Sequence, residues 1–533
     1  MYFFKVTKTY SRWKAPFLIP IFFAVLSLLT RFPFFFKDVT EWDESTFILL
    51  GQSFLNGNLP YTDIWDLKPP FVSVAFALFI FVFGKSIASI RLAGTICVAL
   101  IAWFVYLTGK ATWTPRAGLL GGTLFILLIA LFRGGQPTMT EQVALVPLMG
   151  AVALTVNSKL TQRCLFWVSL LMATASMIRL NLAYTSLTAG LAVVLAPSFK
   201  NHSWERGLQS AIARGLTFAT GSLLILFLTL LPYLITGQFQ IWWQSVILAP
   251  LSYASLRFSW IEVAQIHFQT LGWMIFDENN VFTLARPLSL SIISILVWGG
   301  ALIGMGVIVA QWRKIHVWER RNIILLFFFF AGTLYSILKG GAAHPHYLIQ
   351  IIPFVTICAG IGLGFLSSKA CSWQVAIMIV SIIFLGSRPA LTGYQNIQSR
   401  IASGKELDHG SAYEIAEYIK QAGSAEKSVY LMVDHIAYWF LEKQPLSRVT
   451  THPSNISKEY LLEFVEGSET TTEIELARVL EKEPDFIVTT RDIGYLDSQQ
   501  SAKTLLEKTL EEDYRLVKEV QHRVENRQIY KKK

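Results

Sequence analysis

The sequence predicts an α-helical polytopic membrane protein with about 11 transmembrane helices, followed by a C-terminal soluble α/β domain. Of the 533 residues, 53% are hydrophobic and only 15% are charged, which is too little polar surface for a water-soluble protein. Apolar runs near the bilayer-crossing length of roughly 20 residues recur through residues 1–389. After Arg388 the sequence becomes charged and mixed, which predicts a separate domain over residues 390–533.

Eleven apolar runs are predicted to cross the membrane: 15–36, 92–108, 117–132, 143–156, 164–178, 182–197, 215–235, 288–310, 322–338, 347–366 and 373–387. The run 71–83 is also apolar, but its length is typical of a re-entrant or interfacial segment. We therefore expect it to lie in or along the outer leaflet.

The distribution of Lys and Arg orients these spans. The first run is preceded by four basic residues, Lys5, Lys8, Arg12 and Lys14. If 71–83 does not cross, the same side of the membrane also holds the basic links 110–116, 159–163, 200–214 and 313–321. Because basic loops stay inside, the N-terminus is predicted to be cytoplasmic and the C-terminal domain extracytoplasmic, in a prokaryotic plasma membrane. This placement accounts for the net charge of +10 without a nucleic-acid partner.

The C-terminal domain shows ordinary globular periodicity. Strands are predicted at 428–433 and 486–489, a closing strand pair at 514–520 and 524–531, and amphipathic helices at 413–422, 474–482 and 503–511. We find no Gly-rich phosphate loop or triad spacing, so no catalytic site is predicted here. The four cysteines lie in or beside apolar runs and are expected to be small buried residues without disulfides.

The first outer loop, 37–70, carries the densest chemistry. Asp43 and Glu44 follow the first span closely, so a carboxylate there can take a proton from an incoming acceptor, and partial desolvation is expected to raise its pKa. Lys68 is braced by Pro69 and Pro70 and suits a lipid phosphate. The alternative is that the acidic pair only caps or solvates a juxtamembrane helix.

Two later outer segments add candidates. Glu141 opens a span, where it either favours the helix N-terminus or orients an acceptor or cation. We predict that five residues bind the donor phosphate: Arg179, Lys339, His344, His346 and Tyr347. The alternative is that the late segment is only a structural turn and that Arg179 forms an ordinary ion pair. Two histidines without a third ligand are a weak metal signal, so we predict no metal and no cofactor; a divalent cation is compatible with the loop but is not predicted.

Together these residues resemble membrane glycosyltransferases of the GT-C fold, in the family of protein O-mannosyltransferases and aminoarabinose transferases (glycosyltransferase families 39 and 83). The resemblance covers nearly the whole chain and is carried by Asp43-Glu44, Lys68-Pro69-Pro70, Gly84 with Arg91, Glu141 and His346-Tyr347. It implies inverting transfer of a hexosyl or pentosyl group from a polyprenyl-phosphate donor to a lipid, glycan or protein acceptor at the outer face. Asp43 would be the base and Lys68 would neutralise the leaving phosphate. Glu44 and Glu141 are the other acidic residues that we assign to the catalytic group.

We expect Asp43 and Lys68 to share one chamber at the membrane edge. The chain departs from the aminoarabinose transferases at Leu67, where those enzymes commonly have a glutamate, and this argues against a metal site and against aminoarabinose as the sugar. A transporter or flippase of a lipid-linked saccharide is the alternative function, although transporters place their functional groups near the bilayer midplane. A third possible function is that of a non-catalytic membrane scaffold, but this function would not explain the presence of Asp43 and Lys68.

Overall fold

The computed structural model describes residues 17–132, 134–198, 204–255, 260–276, 285–339, 344–368, 370–423, 428–467, 469–522 and 525–533. The basic segment 1–16, on which the predicted orientation depends in part, lies outside these ranges, as does Arg133 between the predicted spans 117–132 and 143–156.

Up to Ala402 the described chain is built from helices. In order they are α1 (Leu18–Arg31), α2 (Trp42–Leu55), α3 (Phe71–Phe83), α4 (Ile87–Thr112), α5 (Pro115–Leu131), α6 (Thr140–Asn157), α7 (Gln162–Ile178), α8 (Leu182–Ser198), α9 (Trp204–Ile235), α10 (Phe239–Trp242), α11 (Ala249–Ser255), α12 (Trp260–Phe276), α13 (Ala285–Gln311), α14 (Val317–Leu338), α15 (Ile352–Leu366) and α16 (Ser372–Ala402).

Each of the eleven predicted spans coincides with one of these helices, namely α1, α4 to α9 and α13 to α16. Among the described residues, six helices are both long and apolar enough to cross a membrane: α4, α6, α9, α13, α14 and α16. The other five are shorter apolar helices, as is α3. The helical membrane architecture is therefore confirmed, whereas the number of crossings and the side on which each terminus lies stay predictions.

Helix α3 ends at Gly84, whose φ of 92° lies in the region that favours glycine. Its outer face is apolar and exposed, with Leu78, Phe81 and Val82 at 55%, 78% and 56% exposure. Its inner face packs on α2, where the rings of Phe47 and Phe76 lie 5.4 Å apart. Helix α3 is thus apolar on the face that packs on α2 and on the face that is exposed, and its placement in or along the outer leaflet stays a prediction.

Small residues allow the central helices to approach closely. A side chain at Gly360 of α15 would collide with the backbone of α5 at Ala117, and one at Gly304 of α13 would collide with the backbone of α15 at Cys358. Membrane helices commonly pack through small residues in this way, because lipid supplies no hydrophobic force that drives helices together.

Two predicted outer loops contain helices. The first, 37–70, contains α2, whose middle residues Phe47, Ile48, Leu49 and Leu50 are buried. The other is the long connection 236–286 between the predicted spans 215–235 and 288–310, which contains α10, α11 and α12 with a π-helical turn Trp243–Leu248 between the first two. Polar residues interrupt the apolar residues of these segments. For this reason the segments do not contain the long apolar runs by which the other helices were predicted.

The C-terminal region is an α/β unit, as predicted. Its helices are α17 (Ser411–Gln421), α18 (Ala437–Leu441), α19 (Glu459–Glu466), α20 (Thr472–Leu480) and α21 (Gln500–Asp513), and its strands are β1 (Val429–Leu431), β2 (Phe486–Thr489), β3 (Tyr514–Val520) and β4 (Arg527–Lys532). The sheet order is β1-β2-β4-β3, in which β1 and β2 are parallel and β4 is antiparallel to both neighbours. The division proposed at residues 389/390 falls inside α16, which continues to Ala402.

The cysteines are all free. Cys97 is buried, as expected, and Cys164 and Cys358 are partly buried. The expectation of burial is wrong for Cys371, which is exposed because it stands at the N-cap of α16.

The C-terminal unit packs directly on the first outer segment. The backbone N–H of Trp65 donates to the carbonyl of Arg448 over 2.9 Å, and the indole N–H of Trp439 donates to the side chain of Gln52 over 2.9 Å. Asp38 accepts a hydrogen bond from the backbone N–H of Ala412 at the start of α17, over 2.6 Å. These contacts bring the first loop and the C-terminal unit to the same end of the helical part of the protein.

Candidate active site

Asp43 lies in the first turn of α2 and is the centre of a charged cluster. Its side chain is 22% exposed, with one carboxylate oxygen, Oδ2, 3.9 Å from Nζ of Lys68. The other oxygen, Oδ1, lies 3.6 Å from Nε2 of His452, which comes from the C-terminal unit. The expectation that Asp43 and Lys68 share one environment is confirmed.

The segment that carries Lys68 is fixed from several sides. The hydroxyl of Tyr61 donates to the Lys68 carbonyl over 2.6 Å, and the backbone N–H of Lys68 donates to Asp66 over 3.2 Å. The ammonium lies 3.7 Å from Asp66 and 5.4 Å from the centroid of the Phe47 ring. Burial alone would lower the pKa of Lys68, but Asp43 and Asp66 outweigh it and hold that pKa above its ordinary value.

The same pairing decides the state of Asp43. Burial opposes ionisation, but neighbouring groups outweigh it, with Lys68 the largest influence, and hold the pKa of Asp43 well below its ordinary value. The expectation that desolvation raises this pKa is therefore wrong for the resting protein. Asp43 is ionised at neutral pH, and its strength as a base depends on whether Lys68 stays beside it.

Glu44 does not join Asp43 in the cluster, and the catalytic role predicted for it is corrected here. It is 2% exposed, pairs with Arg91 at 2.8 Å and accepts the backbone N–H of Thr138 over 2.6 Å. Successive residues on a helix point about 100° apart, so Glu44 faces the core when Asp43 faces the cluster. Arg91 also donates to the carbonyls of Lys37 and Asp38 over 2.7 and 2.9 Å, which makes the pair a brace for the entry into α2.

Glu141 lies in the first turn of α6 and is fully buried. It forms an ion pair of 2.8 Å with Arg179, at the C-terminal end of α7, and lies 3.5 Å from Nε2 of His346. The guanidinium of Arg179 stands 4.3 Å from the ring centroid of Tyr347. Glu141 therefore holds Arg179 and His346 in place, which favours an orienting role for this residue over proton transfer.

The two histidines of the late outer segment lie beside this group. The rings of His344 and His346 are stacked with centroids 5.3 Å apart, and Nε2 of His346 lies 3.5 Å from Glu141. Burial lowers the pKa of His346, and Glu141 opposes that change. Among the described residues, no three His, Cys, Asp or Glu side chains converge on a point that could hold a metal ion.

Lys339 is the predicted phosphate ligand that the geometry does not support. It is exposed at the C-terminal end of α14, and no contact within the described residues joins it to Asp43 or Lys68. The glycines and alanines that follow it, residues 340–343, lie outside the described ranges.

Sequence reasoning missed three residues of the cluster: Asp66, His452 and Asn455. The side-chain amide of Asn455 donates to Asp66 over 3.3 Å, so the C-terminal unit contacts both Asp43 and the carboxylate that supports Lys68. Asp66 stands two positions before Lys68 and could have been assigned from that spacing. No sequence signal connects His452 or Asn455 to residues about 400 positions earlier.

Comparisons with known proteins agree with this architecture. Residues 67–205 match the profile of the family described as Dolichyl-phosphate-mannose-protein mannosyltransferase. The crystal structure of ArnT from Cupriavidus metallidurans in the apo state is similar with a TM-score of 0.59 and 14% sequence identity, over 96% of this chain and 97% of that chain. The structure of the same protein bound to undecaprenyl phosphate gives a TM-score of 0.56 and 15% identity over the same shares of the two chains. A comparison with curated protein sequences gave no match. The fold predicted from the sequence, that of the GT-C glycosyltransferases, is thereby confirmed.

Proposed function

We propose that this chain of the GT-C fold is a membrane glycosyltransferase, which moves a sugar from a polyprenyl-phosphate carrier to an acceptor at the extracytoplasmic face. The observation that carries the proposal is the partly exposed pair of Asp43 and Lys68, whose charged atoms lie 3.9 Å apart. The carboxylate of Asp43 can take a proton from the acceptor, and the ammonium of Lys68 can bind the donor phosphate. Their proximity would bring the acceptor and the donor next to each other. The ArnT structure with undecaprenyl phosphate and the mannosyltransferase profile support the same donor class.

Asp43 is the proposed base. As the acceptor oxygen attacks the anomeric carbon, its proton passes to the Asp43 carboxylate, while the bond between that carbon and the phosphate oxygen breaks. The electron pair of that bond leaves with the polyprenyl phosphate. Attack from the face opposite the phosphate inverts the anomeric configuration in a single displacement.

Lys68 is the proposed phosphate ligand, and its departure from Asp43 links donor binding to catalysis. In the resting protein Lys68 depresses the basicity of Asp43. A carrier phosphate would compete for the ammonium and thereby release a stronger base next to the acceptor. On the leaving group, the same cation offsets the negative charge that grows in the transition state.

Arg179, His346 and Tyr347 form the proposed second contact to the donor. Arg179 forms an ion pair with Glu141. Its Nε–H group is buried and has no hydrogen-bond partner among the described residues. Buried donors are normally paired, so an unpaired N–H is available to a phosphate oxygen or a sugar hydroxyl.

The test is transfer by the purified protein in detergent, with radiolabelled polyprenyl-phosphate sugars as donors. Asp43→Asn should bind the carrier and fail to transfer, because the amide cannot take the proton. Asp63→Asn is the matched control in the same segment, since Asp63 bonds only to Ser53 and Asn58 in the described structure. Turnover of Asp43→Asn at the wild-type rate would exclude Asp43 as the base.

A further inference from the structure

His452 occupies an unusual place, because it is a residue of the C-terminal unit inserted beside the proposed base. Its Nε2 lies 3.6 Å from Oδ1 of Asp43, and its side chain is 14% exposed. The indole of Trp42, with ring centroids 5.9 Å apart, packs against the imidazole. The ring is therefore held in place by packing and does not reach Asp43 by free rotation.

The hydrogen bonds around the imidazole select its tautomer. Nδ1 lies 2.9 Å from the hydroxyl of Ser454, which can donate to it. Asp43 is ionised and can only accept, so the imidazole hydrogen belongs on Nε2, facing the carboxylate. Burial, and after it Lys458, lowers the pKa of His452 to about 3, so the ring is neutral at physiological pH.

The turn that follows His452 anchors it to the same cluster. Residues Pro453–Ser457 form a 3-10 helix, and Asn455 within it donates to Asp66 over 3.3 Å. Asp66 in turn lies 3.7 Å from Lys68. A single short segment of the C-terminal unit thus contacts the base directly and the phosphate ligand through Asp66.

We propose that His452 is a positioning residue for Asp43. Its neutral imidazole faces Oδ1 with Nε2 at 3.6 Å, just beyond hydrogen-bond length in the resting protein, and donates to the carboxylate when Lys68 turns to the donor phosphate. In a protein without this imidazole, the departure of Lys68 would leave Asp43 with no ion-pair partner within 4.0 Å among the described residues, and its carboxylate would be free to rotate. This proposal rests on the proposed function. It implies that the C-terminal unit contributes to catalysis by positioning Asp43.

The experiment compares His452→Ala and His452→Gln in the transfer assay, with donor titrations that separate kcat from KM. His452→Ala should lower kcat on the order of 10- to 100-fold, the usual consequence of a misplaced reacting group, and leave the KM for the donor unchanged. His452→Gln should recover most of the rate, because its amide N–H can lie near the position of Nε2. His316→Ala is the matched control, since His316 is exposed at the start of α14 and caps that helix.

Each outcome decides the proposal. A wild-type kcat in His452→Ala, or a glutamine variant as slow as the alanine variant, would overturn it while the proposed function stands. If the wild-type protein transfers no sugar from any polyprenyl-phosphate donor, both fall together. Should His452→Ala fail to fold, His452→Asn replaces it as the slow variant, because its shorter amide reaches the Nδ1 position and not that of Nε2; equal rates for Asn and Gln would then refute the positioning role.

Discussion

The pairing of Asp43 with Lys68 makes the pH dependence of transfer the most informative measurement. At 3.9 Å, two unit charges attract by about 4 kcal/mol if the effective dielectric constant is about 20. This corresponds to about 3 pKa units on Asp43, and solvent screening of the partly exposed pair reduces it to between about 1 and 3. Removing the ammonium also takes away the largest influence that opposes the burial of Asp43, and burial raises the pKa of a carboxyl group.

The perturbation is Lys68→Met, measured as kcat/KM for the donor between about pH 5 and pH 9, because this ratio reports the pKa values of the free enzyme, in which Lys68 lies beside Asp43. In the wild-type protein the pKa of Asp43 lies far below this window, so Asp43 contributes no loss of rate on the acid side. In the variant the raised pKa brings protonation of Asp43 toward the window, so the rate falls as the pH is lowered. Lys85→Met is the control, because Lys85 pairs with Glu442 and not with Asp43. Superimposable profiles of Lys68→Met and wild type would refute the electrostatic coupling.

Two further predictions concern the frame of the site. Arg91→Met should lower the free energy of unfolding by about 3–5 kcal/mol, because it leaves the buried carboxylate of Glu44 without its cation. Adding Glu44→Gln to this variant should restore part of the lost stability. Thermal unfolding in detergent measures both variants, and a double variant no more stable than Arg91→Met would contradict the reasoning. Gly410→Ala should destabilise the protein more than Gly404→Ala, since both residues have positive φ, but only at Gly410 would the new methyl group collide with the carboxylate of Asp38. Equal unfolding midpoints for the two glycine variants would show that the Asp38 contact is unimportant.

Much of the fold was predictable because its signals are local. A long apolar run marks a membrane helix whatever its neighbours do, and all eleven predicted runs are helical. The strand predictions at Phe486–Thr489 and Tyr514–Val520 match β2 and β3 at both ends, because each is a short strand bounded by polar residues. The helices inside the outer loops were missed, since α2 mixes polar residues with its buried apolar ones.

The candidate site was predictable only where its residues lie close in sequence to a membrane boundary. Asp43 and Lys68 belong to one outer segment, so their proximity followed from a short connection. Whether Glu44 faces the site or the core depends on the rotation of α2, which Arg91 and Thr138 fix through contacts that no spacing reveals. The histidine that touches Asp43 arrives through the packing of two distant parts of the chain.

The length of α16 has a mechanical consequence. Its 31 residues span about 46 Å at 1.5 Å per residue, whereas the hydrocarbon layer is about 30 Å thick. Helix α16 contains the predicted span 373–387 and continues to Ala402, so it is long enough to extend beyond the hydrocarbon layer toward the C-terminal unit. Continuous helical backbone, interrupted only by the missing hydrogen bond at Pro389, therefore connects the predicted span to that unit in place of a flexible linker.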